Sequence, residues 1–191
     1  IDGLFVPQTG IVDYVTVTNK YADLIREKGG EIRIKSKLVS VKKDGNDLIL
    51  FTGHDEYRTK FIVNCAGLQS DRIAKLFGVD PKLQIIPFRG EYYRLKKEKE
   101  YLVKNLIYPV PDPQFPFLGV HFTRMIKGGV EAGPNAVLAF KREGYKKTDF
   151  SFRDILEMKL YPGFWKMAAK YYKMGFREFR RSFSKELFVK S

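Results

Sequence analysis

The most constraining stretch of this sequence is Phe61-Ile62-Val63-Asn64-Cys65-Ala66-Gly67-Leu68-Gln69-Ser70. Phe61-Ile62-Val63 is an apolar run too short for a helix and suited to a strand buried on both faces. Ala66-Gly67 follows, and without larger side chains something bulky can approach the backbone there. Ser70 stands at an N-cap position for a helix from Asp71 to Phe77, with Gly78 to close it. Strand, small-residue turn and helix N-terminus, in that order, is how an α/β sheet builds a nucleotide site. The same order also lets a helix pack closely on its sheet, and the residues alone leave both readings standing.

Around this stretch the pattern predicts short elements. Asp13 caps a helix running to Lys28, with Val17, Tyr21, Leu24 and Ile25 on its apolar face and Gly29-Gly30 at its end. Strands are expected at Glu31 to Ile34, Leu38 to Val41, Asp47 to Thr52 and Tyr57 to Lys60. Asp44-Gly45-Asn46 turns the second into the third, which makes a β-meander leading into Phe61-Ile62-Val63. Further strands are expected within Phe88 to Leu95 and at Leu106 to Tyr108, Leu118 to Arg124, Gly129 to Ala132 and Ala136 to Phe140. Pro109, Pro111, Pro113 and Pro116 form a stiff loop that cannot join a sheet interior. From Ser151 the pattern turns helical. Pro162-Gly163 and Gly175 divide three helices, and Phe176, Phe179, Phe183 and Leu187 read as a core-facing stripe on the last. The expected class is α/β (α+β), a mixed sheet followed by a helical C-terminal part.

Charge narrows the partners. The chain of 191 residues carries a formal net charge of +13, which favours anionic ligands or surfaces. From Lys141 onward 14 basic residues stand against 6 acidic ones, so most of the excess lies in the helical part. Basic residues interleaved with aromatics suit nucleic acid. At helical spacing they also read as a solvated face over core, or as a peripheral membrane helix. Cys65 is the single cysteine, which removes an intrachain disulfide framework and cysteine-based metal clusters. No GxGxxG, Walker A or GxSxG sequence occurs, and His54 and His121 are the only histidines, so hydrolase and metalloenzyme chemistry is disfavoured. No apolar run reaches the roughly 18 residues of a membrane span.

Two clusters can carry chemistry. Phe88-Arg89-Gly90-Glu91-Tyr92 sets an arginine beside a glycine, where the guanidinium either reaches a ligand or pairs with Glu91. In His121-Phe122-Thr123-Arg124, strand alternation puts His121 and Arg124 on opposite faces. They share a site only if the strand end twists or bulges. A neutral histidine takes a proton and an arginine fork holds a carboxylate. The alternative is a partly buried histidine beside a surface arginine.

Val63-Asn64-Cys65-Ala66-Gly67-Leu68-Gln69-Ser70-Asp71 resembles the D-amino-acid-oxidase-type family of FAD-dependent oxidoreductases. Ile86 to Tyr93, Leu106 to Pro113, Leu118 to Arg124, Val130 to Ala136 and Tyr161 to Trp165 are similar to its L-2-hydroxyglutarate oxidase/dehydrogenase branch. The resemblance covers nearly the whole chain. It implies that residues 1–80 belong to an FAD-binding domain and residues 81–191 to a substrate-binding domain with a helical C-terminal segment. It implies FAD-dependent oxidation of a small dicarboxylate, L-2-hydroxyglutarate, to 2-oxoglutarate, with oxygen or a quinone as acceptor. A related enzyme acting on an amino acid, an amine or glycerol 3-phosphate is the neighbouring alternative, and a basic anion- or membrane-binding module is the alternative from another class. By position, Val39 would meet the adenine end of FAD through its backbone, and Cys65, Ala66 and Gly67 would lie along the cofactor. Arg89, Tyr92 and Arg124 fall on the substrate side, an arginine holding a carboxylate and His121 acting as base. Family members begin with a strand–GxGxxG–helix unit and end with another FAD-contacting stretch. Neither is among these residues, so the chain reads as a central segment with little activity alone. No metal and no nucleic acid is expected, and the location is cytoplasmic, peripheral to the inner face of the membrane.

Overall fold

Asp13 begins the first helix as its sequence position requires, accepting the Val15 N–H at 3.0 Å, and α1 runs Tyr14–Glu27. Gly29, at φ +78°, ends it. The apolar face of α1 is largely uncovered, with Tyr21 65% and Ile25 45% exposed. The computed structural model describes residues 3–110 and 119–190. They divide into two units. One is Ile1–Gly30, Arg89–Val137 and Phe176–Ser191; the other is Glu31–Phe88 and Leu138–Gly175.

The second unit opens on the predicted meander. β1 (Leu38–Asp44), β2 (Asp47–Thr52) and β3 (Glu56–Thr59) pair antiparallel in that order. Gly45, at φ +60°, makes the hairpin turn. Arg58 fixes the hairpin end by bonding both Asp44 (2.7 Å) and Asp47 (3.0 Å). The ladder shifts register between Leu38 and Ser40, so Val39 is a bulged residue. Glu31 to Ile34 is not a strand, because no strand among the described residues offers it a ladder. The same holds for Phe61-Ile62-Val63, which was expected to be buried on both faces. Phe61 is 86% and Val63 85% exposed, and the segment pairs with no strand among the described residues. Apolar sequence selects a buried strand only where flanking strands exist.

Beyond it, a 3-10 turn over Gly67–Gln69 feeds α2 (Ser70–Leu76). Ser70 is therefore already helical rather than the N-cap, and its hydroxyl donates back to the Gly67 carbonyl at 2.7 Å. Gly78 (φ +72°) closes α2 as expected. Later in this unit Ser151 caps α3 (Phe152–Leu160) through the Asp154 N–H. Its small core includes Ile49, Ala139 and Met158.

The first unit holds a second sheet of β4 (Phe88–Arg94), β5 (His121–Arg124) and β6 (Val130–Leu138), ordered β4-β6-β5. Leu106 to Tyr108 contributes one bridge, Ile107 to Phe122, rather than a strand. Pro111, Pro113, Pro116 and Leu118 lie outside the described residues. The two strands expected between Gly129 and Phe140 are one. Gly133-Pro134-Asn135 lies between the two expected strands, and proline donates nothing to a ladder, yet β6 passes through it with a cis Gly133–Pro134 bond. Burial alternation along β6 changes phase there: Val130 and Ala132 are buried before it, Asn135 and Val137 after it.

Gly175 does not divide the C-terminal helices. α4 runs Pro162–Phe183, kinked at Tyr171 (φ −115°, ψ 15°). The break falls at Ser184, which caps α5 (Lys185–Val189). The phenylalanine stripe expected to be core is exposed instead, Phe176 by 66% and Phe183 by 70%. Phe188 packs inward, its ring 4.5 Å from that of Tyr93. No described helix is long and apolar enough to cross a membrane.

Candidate active site

β4 alternates cleanly along Arg89, Gly90, Glu91, Tyr92 and Tyr93. Arg89, Glu91 and Tyr93 share the face covered by the C-terminal helices. There Arg89 bonds Glu91 (2.8 Å), which also accepts from Ser182 (3.0 Å), while Asn135 donates to the Glu178 carbonyl (3.0 Å). Gly90 and Tyr92 take the opposite face. His121 joins them there, because it pairs with Gly133 across the β5–β6 ladder. A Cβ on Gly133 would stand 2.6 Å from the Tyr92 ring and 2.8 Å from the Glu91 carbonyl. The glycine is thus what brings Tyr92 and His121 together, with ring centroids 6.4 Å apart in edge geometry. Tyr108 stacks on His121 from another side at 4.4 Å and 15°.

This face is open: Tyr92 and Tyr108 are about half exposed while His121 is buried. His121 Nδ1 lies 3.0 Å from the Gly119 carbonyl oxygen. A carbonyl only accepts, so Nδ1 carries the hydrogen and a neutral ring keeps its lone pair on Nε2. That is the tautomer a proton acceptor needs. Burial raises the pKa of Tyr92 above 10.0, reinforced by Glu131 and Tyr108, so its hydroxyl remains a donor.

Arg124 lies on the far face of β5 from His121. The β5–β6 register runs without a bulge from His121 to Arg124, so the twist that would unite them is absent. Its Nη1 donates to the Val103 carbonyl at 2.7 Å. Tyr92 and His121 therefore form one cluster, and Arg89 and Arg124 stand apart from it.

In the other unit, Asn64 to Ser70 forms a stitched turn. Asn64 accepts the Ala66 N–H (3.2 Å) and donates to the Ser70 carbonyl (2.9 Å). Beneath it lies a nearly dry ion-pair network. Arg142 forks onto Asp71, Nη2 reaching Oδ2 at 2.7 Å, and both side chains are almost wholly buried. Asp71 also accepts the Arg72 and Ile85 N–H groups. Arg72 bonds Glu157 (2.6 Å) and Asp154. Burial alone would raise the Asp71 pKa, but the Arg142 fork and the two amides outweigh it and hold the carboxyl at about 2.

The match to known proteins decides the family. The model of the FAD-dependent oxidoreductase family DAO matches residues 1–187. The chain belongs to that family. A protein named L-2-hydroxyglutarate dehydrogenase from Indibacter alkaliphilus is 55% identical over 190 residues, 99% of this chain and 48% of its own length. Its namesake in Escherichia coli is 44% identical over the whole chain and 45% of its own length. A mitochondrial L-2-hydroxyglutarate dehydrogenase from Caenorhabditis briggsae is 46% identical over 95% of this chain and 43% of its own. The chain spans about half the length of the curated relatives it matches.

For a member of the FAD-dependent oxidoreductases, the turn is open in the way a cofactor wall must be. Nothing lies within 4 Å of where a Cβ on Gly67 would stand, Gly67 has φ +52°, and the Cys65 thiol is exposed. Val39 is 57% exposed, and its bulge leaves backbone groups outside the ladder. These residues fit a flavin nucleotide lying alongside. Sequence reasoning missed Tyr108, Gly119 and Gly133 around His121, and Asp71 with Arg142 below the turn. Asp71 carried a signal, an acid in a helix's first turn. Arg142 carried none, since its partner lies 71 residues away.

Proposed function

We propose that this chain serves FAD-dependent oxidation of L-2-hydroxyglutarate to 2-oxoglutarate. The observation that carries the reading is His121, with Nδ1 committed to the Gly119 carbonyl and its ring in edge contact with the half-exposed Tyr92. The names of the relatives supply the substrate. His121 Nε2 accepts the proton of the substrate's C2 hydroxyl. Tyr92 donates a hydrogen bond toward the same oxygen or a carboxylate, and Tyr108 keeps the imidazole flat in its place. Bound FAD supplies the two-electron acceptor that takes the hydride from C2. Val39, Cys65, Ala66 and Gly67 form this chain's share of the cofactor wall, within an FAD-binding domain to which residues 1–80 contribute; residues 81–191 form the substrate domain. Neither arginine reaches this cluster: Arg89 is held by Glu91 inside the sheet–helix packing, and Arg124 is bonded to the Val103 carbonyl on the far face of β5.

The test is a chimaera in which this chain replaces the matched segment of the Indibacter alkaliphilus relative. It is expected to bind FAD and to form 2-oxoglutarate from L-2-hydroxyglutarate in preference to glycerol 3-phosphate or amino acids. A chimaera that holds FAD yet oxidises an amino acid faster would overturn the substrate assignment. Hydrogen peroxide formed in step with 2-oxoglutarate would mark oxygen as the acceptor, and dependence on an added quinone would mark a quinone.

Peripheral association of a cytoplasmic protein with an acidic membrane surface belongs to the same reading. Phe176 and Phe183 are exposed among Arg177, Arg180 and Arg181. Co-sedimentation of the chain with phosphatidylglycerol vesicles, lost in Phe176→Ser/Phe183→Ser, is the expected result. Equal sedimentation of both proteins removes this helix as the contact.

A further inference from the structure

Arg142 occupies an unusual position for an arginine, because it is nearly inaccessible to water and two different acceptors converge on one fork. Nη2 bonds Asp71 Oδ2 at 2.7 Å, while Nη1 bonds both Asp71 Oδ1 and, at 2.7 Å, the carbonyl of Leu68. Leu68 is the centre of the 3-10 turn Gly67–Gln69. Asp71 is the second residue of α2. A single planar group therefore ties a turn to the helix that follows it, and does so from 71 residues downstream in the chain.

Around it the same turn is held at its flank. Gln69 accepts from Arg72 (3.1 Å) and donates to Glu143 (2.9 Å), beside Arg142 in sequence. Asp154 accepts the Arg142 N–H at 2.9 Å and also pairs with Arg72. The segment around Arg142 thus reaches the turn by a side-chain fork, by the neighbouring glutamate and through a shared aspartate. Stability alone asks only that buried charges be paired. The guanidinium's remaining N–H donors also need acceptors, and the acceptor that meets one of them here is a carbonyl of the turn itself.

We propose that Arg142 is a positioning residue for the Cys65-Ala66-Gly67 wall, holding the Leu68 carbonyl and Asp71 in one plane so that the turn presents its backbone in a fixed orientation to the flavin nucleotide. This rests on the reading that those three residues line FAD. The free energy of ordering an exposed, glycine-containing turn is then met before the cofactor arrives, which tightens binding. Lysine cannot replace the arginine here. Its point charge would satisfy Asp71 but lacks the rigid fork that spans both acceptors.

Amide hydrogen exchange on the chain without FAD tests the clamp. In Arg142→Lys and Arg142→Gln, exchange at the Ala66 and Gln69 amides is expected to quicken at least tenfold, while β1–β3 keep their protection. Unchanged exchange at the turn, or equal loss across turn and meander, would overturn the proposal. The Lys variant keeps a cation beside Asp71, so folding is preserved if the Gln variant fails. The FAD arm uses the chimaera and flavin fluorescence, with the apparent Kd expected to rise at least tenfold in Arg142→Lys. A loosened turn with an unchanged Kd would leave the clamp standing and overturn the cofactor reading of the turn; an unmoved turn with a weakened Kd would overturn the clamp.

Discussion

Replacing His121 by Phe in the chimaera lowers kcat by about 10²–10⁴, the usual range for losing a positioned general base, and leaves KM for L-2-hydroxyglutarate near its original value. Phe is the informative choice because a flat ring preserves the stack on Tyr108 and the edge contact with Tyr92. It removes only the Nδ1–H bond to Gly119 and the Nε2 lone pair. The lost hydrogen bond costs about 1 kcal/mol of stability, so the variant folds and its kinetics can be read. The split between the two constants separates a base from a binding residue, since a group that acts mainly in the transition state changes kcat rather than KM. The limb of the pH–rate profile that reports the base also disappears. Turnover within tenfold of the parent would remove His121 from the chemistry and move attention to Tyr92.

That this histidine can be singled out shows where the sequence was legible and where it was not. Local chemistry was readable. Asp13 and Ser151 cap the helices they were expected to cap, Gly78 closes α2, and Gly45 turns β1 into β2, because each feature depends only on residues within a turn or two. Strand alternation likewise placed His121 and Arg124 on opposite faces. What failed depended on distant partners. Phe61-Ile62-Val63 has the composition of a buried strand, but burial is conferred by neighbours, and none of the described strands flanks it. The stripe of Phe176, Phe179 and Phe183 has core periodicity yet faces outward, while Phe188, outside the stripe, packs against Tyr93. Gly133-Pro134 looked like a strand break and is instead the point where β6 changes phase, which turns Asn135 toward the helices and leaves Gly133 between Tyr92 and His121. The Arg89–Glu91 pair was one of two local alternatives, and the face of β4 that the C-terminal helices cover decides for it.

Neutralising Asp71 has the largest expected effect on stability. Asp71→Asn keeps the shape and the acceptor for the Ile85 N–H but strands the Arg142 charge in a site that water hardly reaches. Breaking a buried pair from one side costs about 3–5 kcal/mol. Glu157 stands 3.6 Å from Arg142 as a partial replacement, which sets the expectation toward the lower end. Urea unfolding followed by the fluorescence of Trp165, the single tryptophan, reads the unit that contains the network. Adding Arg142→Met to Asp71→Asn removes the stranded charge, so the double variant should be more stable than the sum of the two single losses requires. Acid gives an independent check, and its sign is fixed. The Asp71 carboxyl titrates at about 2 in the folded chain against an ordinary 3.8, so its contribution is fully present above pH 4 and is lost as pH falls through 2. The difference corresponds to about 2 kcal/mol. Asp154 and Glu157 also lie below their ordinary values despite burial that would raise them, because the Arg142 N–H and then Arg72 bond Asp154, and Arg153 and then Arg72 bond Glu157. They lose their contributions in acid as well, so the parent minus the Asn variant isolates Asp71. Parallel stability curves for the two proteins between pH 5 and pH 2, or a loss below about 1 kcal/mol at neutral pH, would mean that the fork on Asp71 does not hold this unit together.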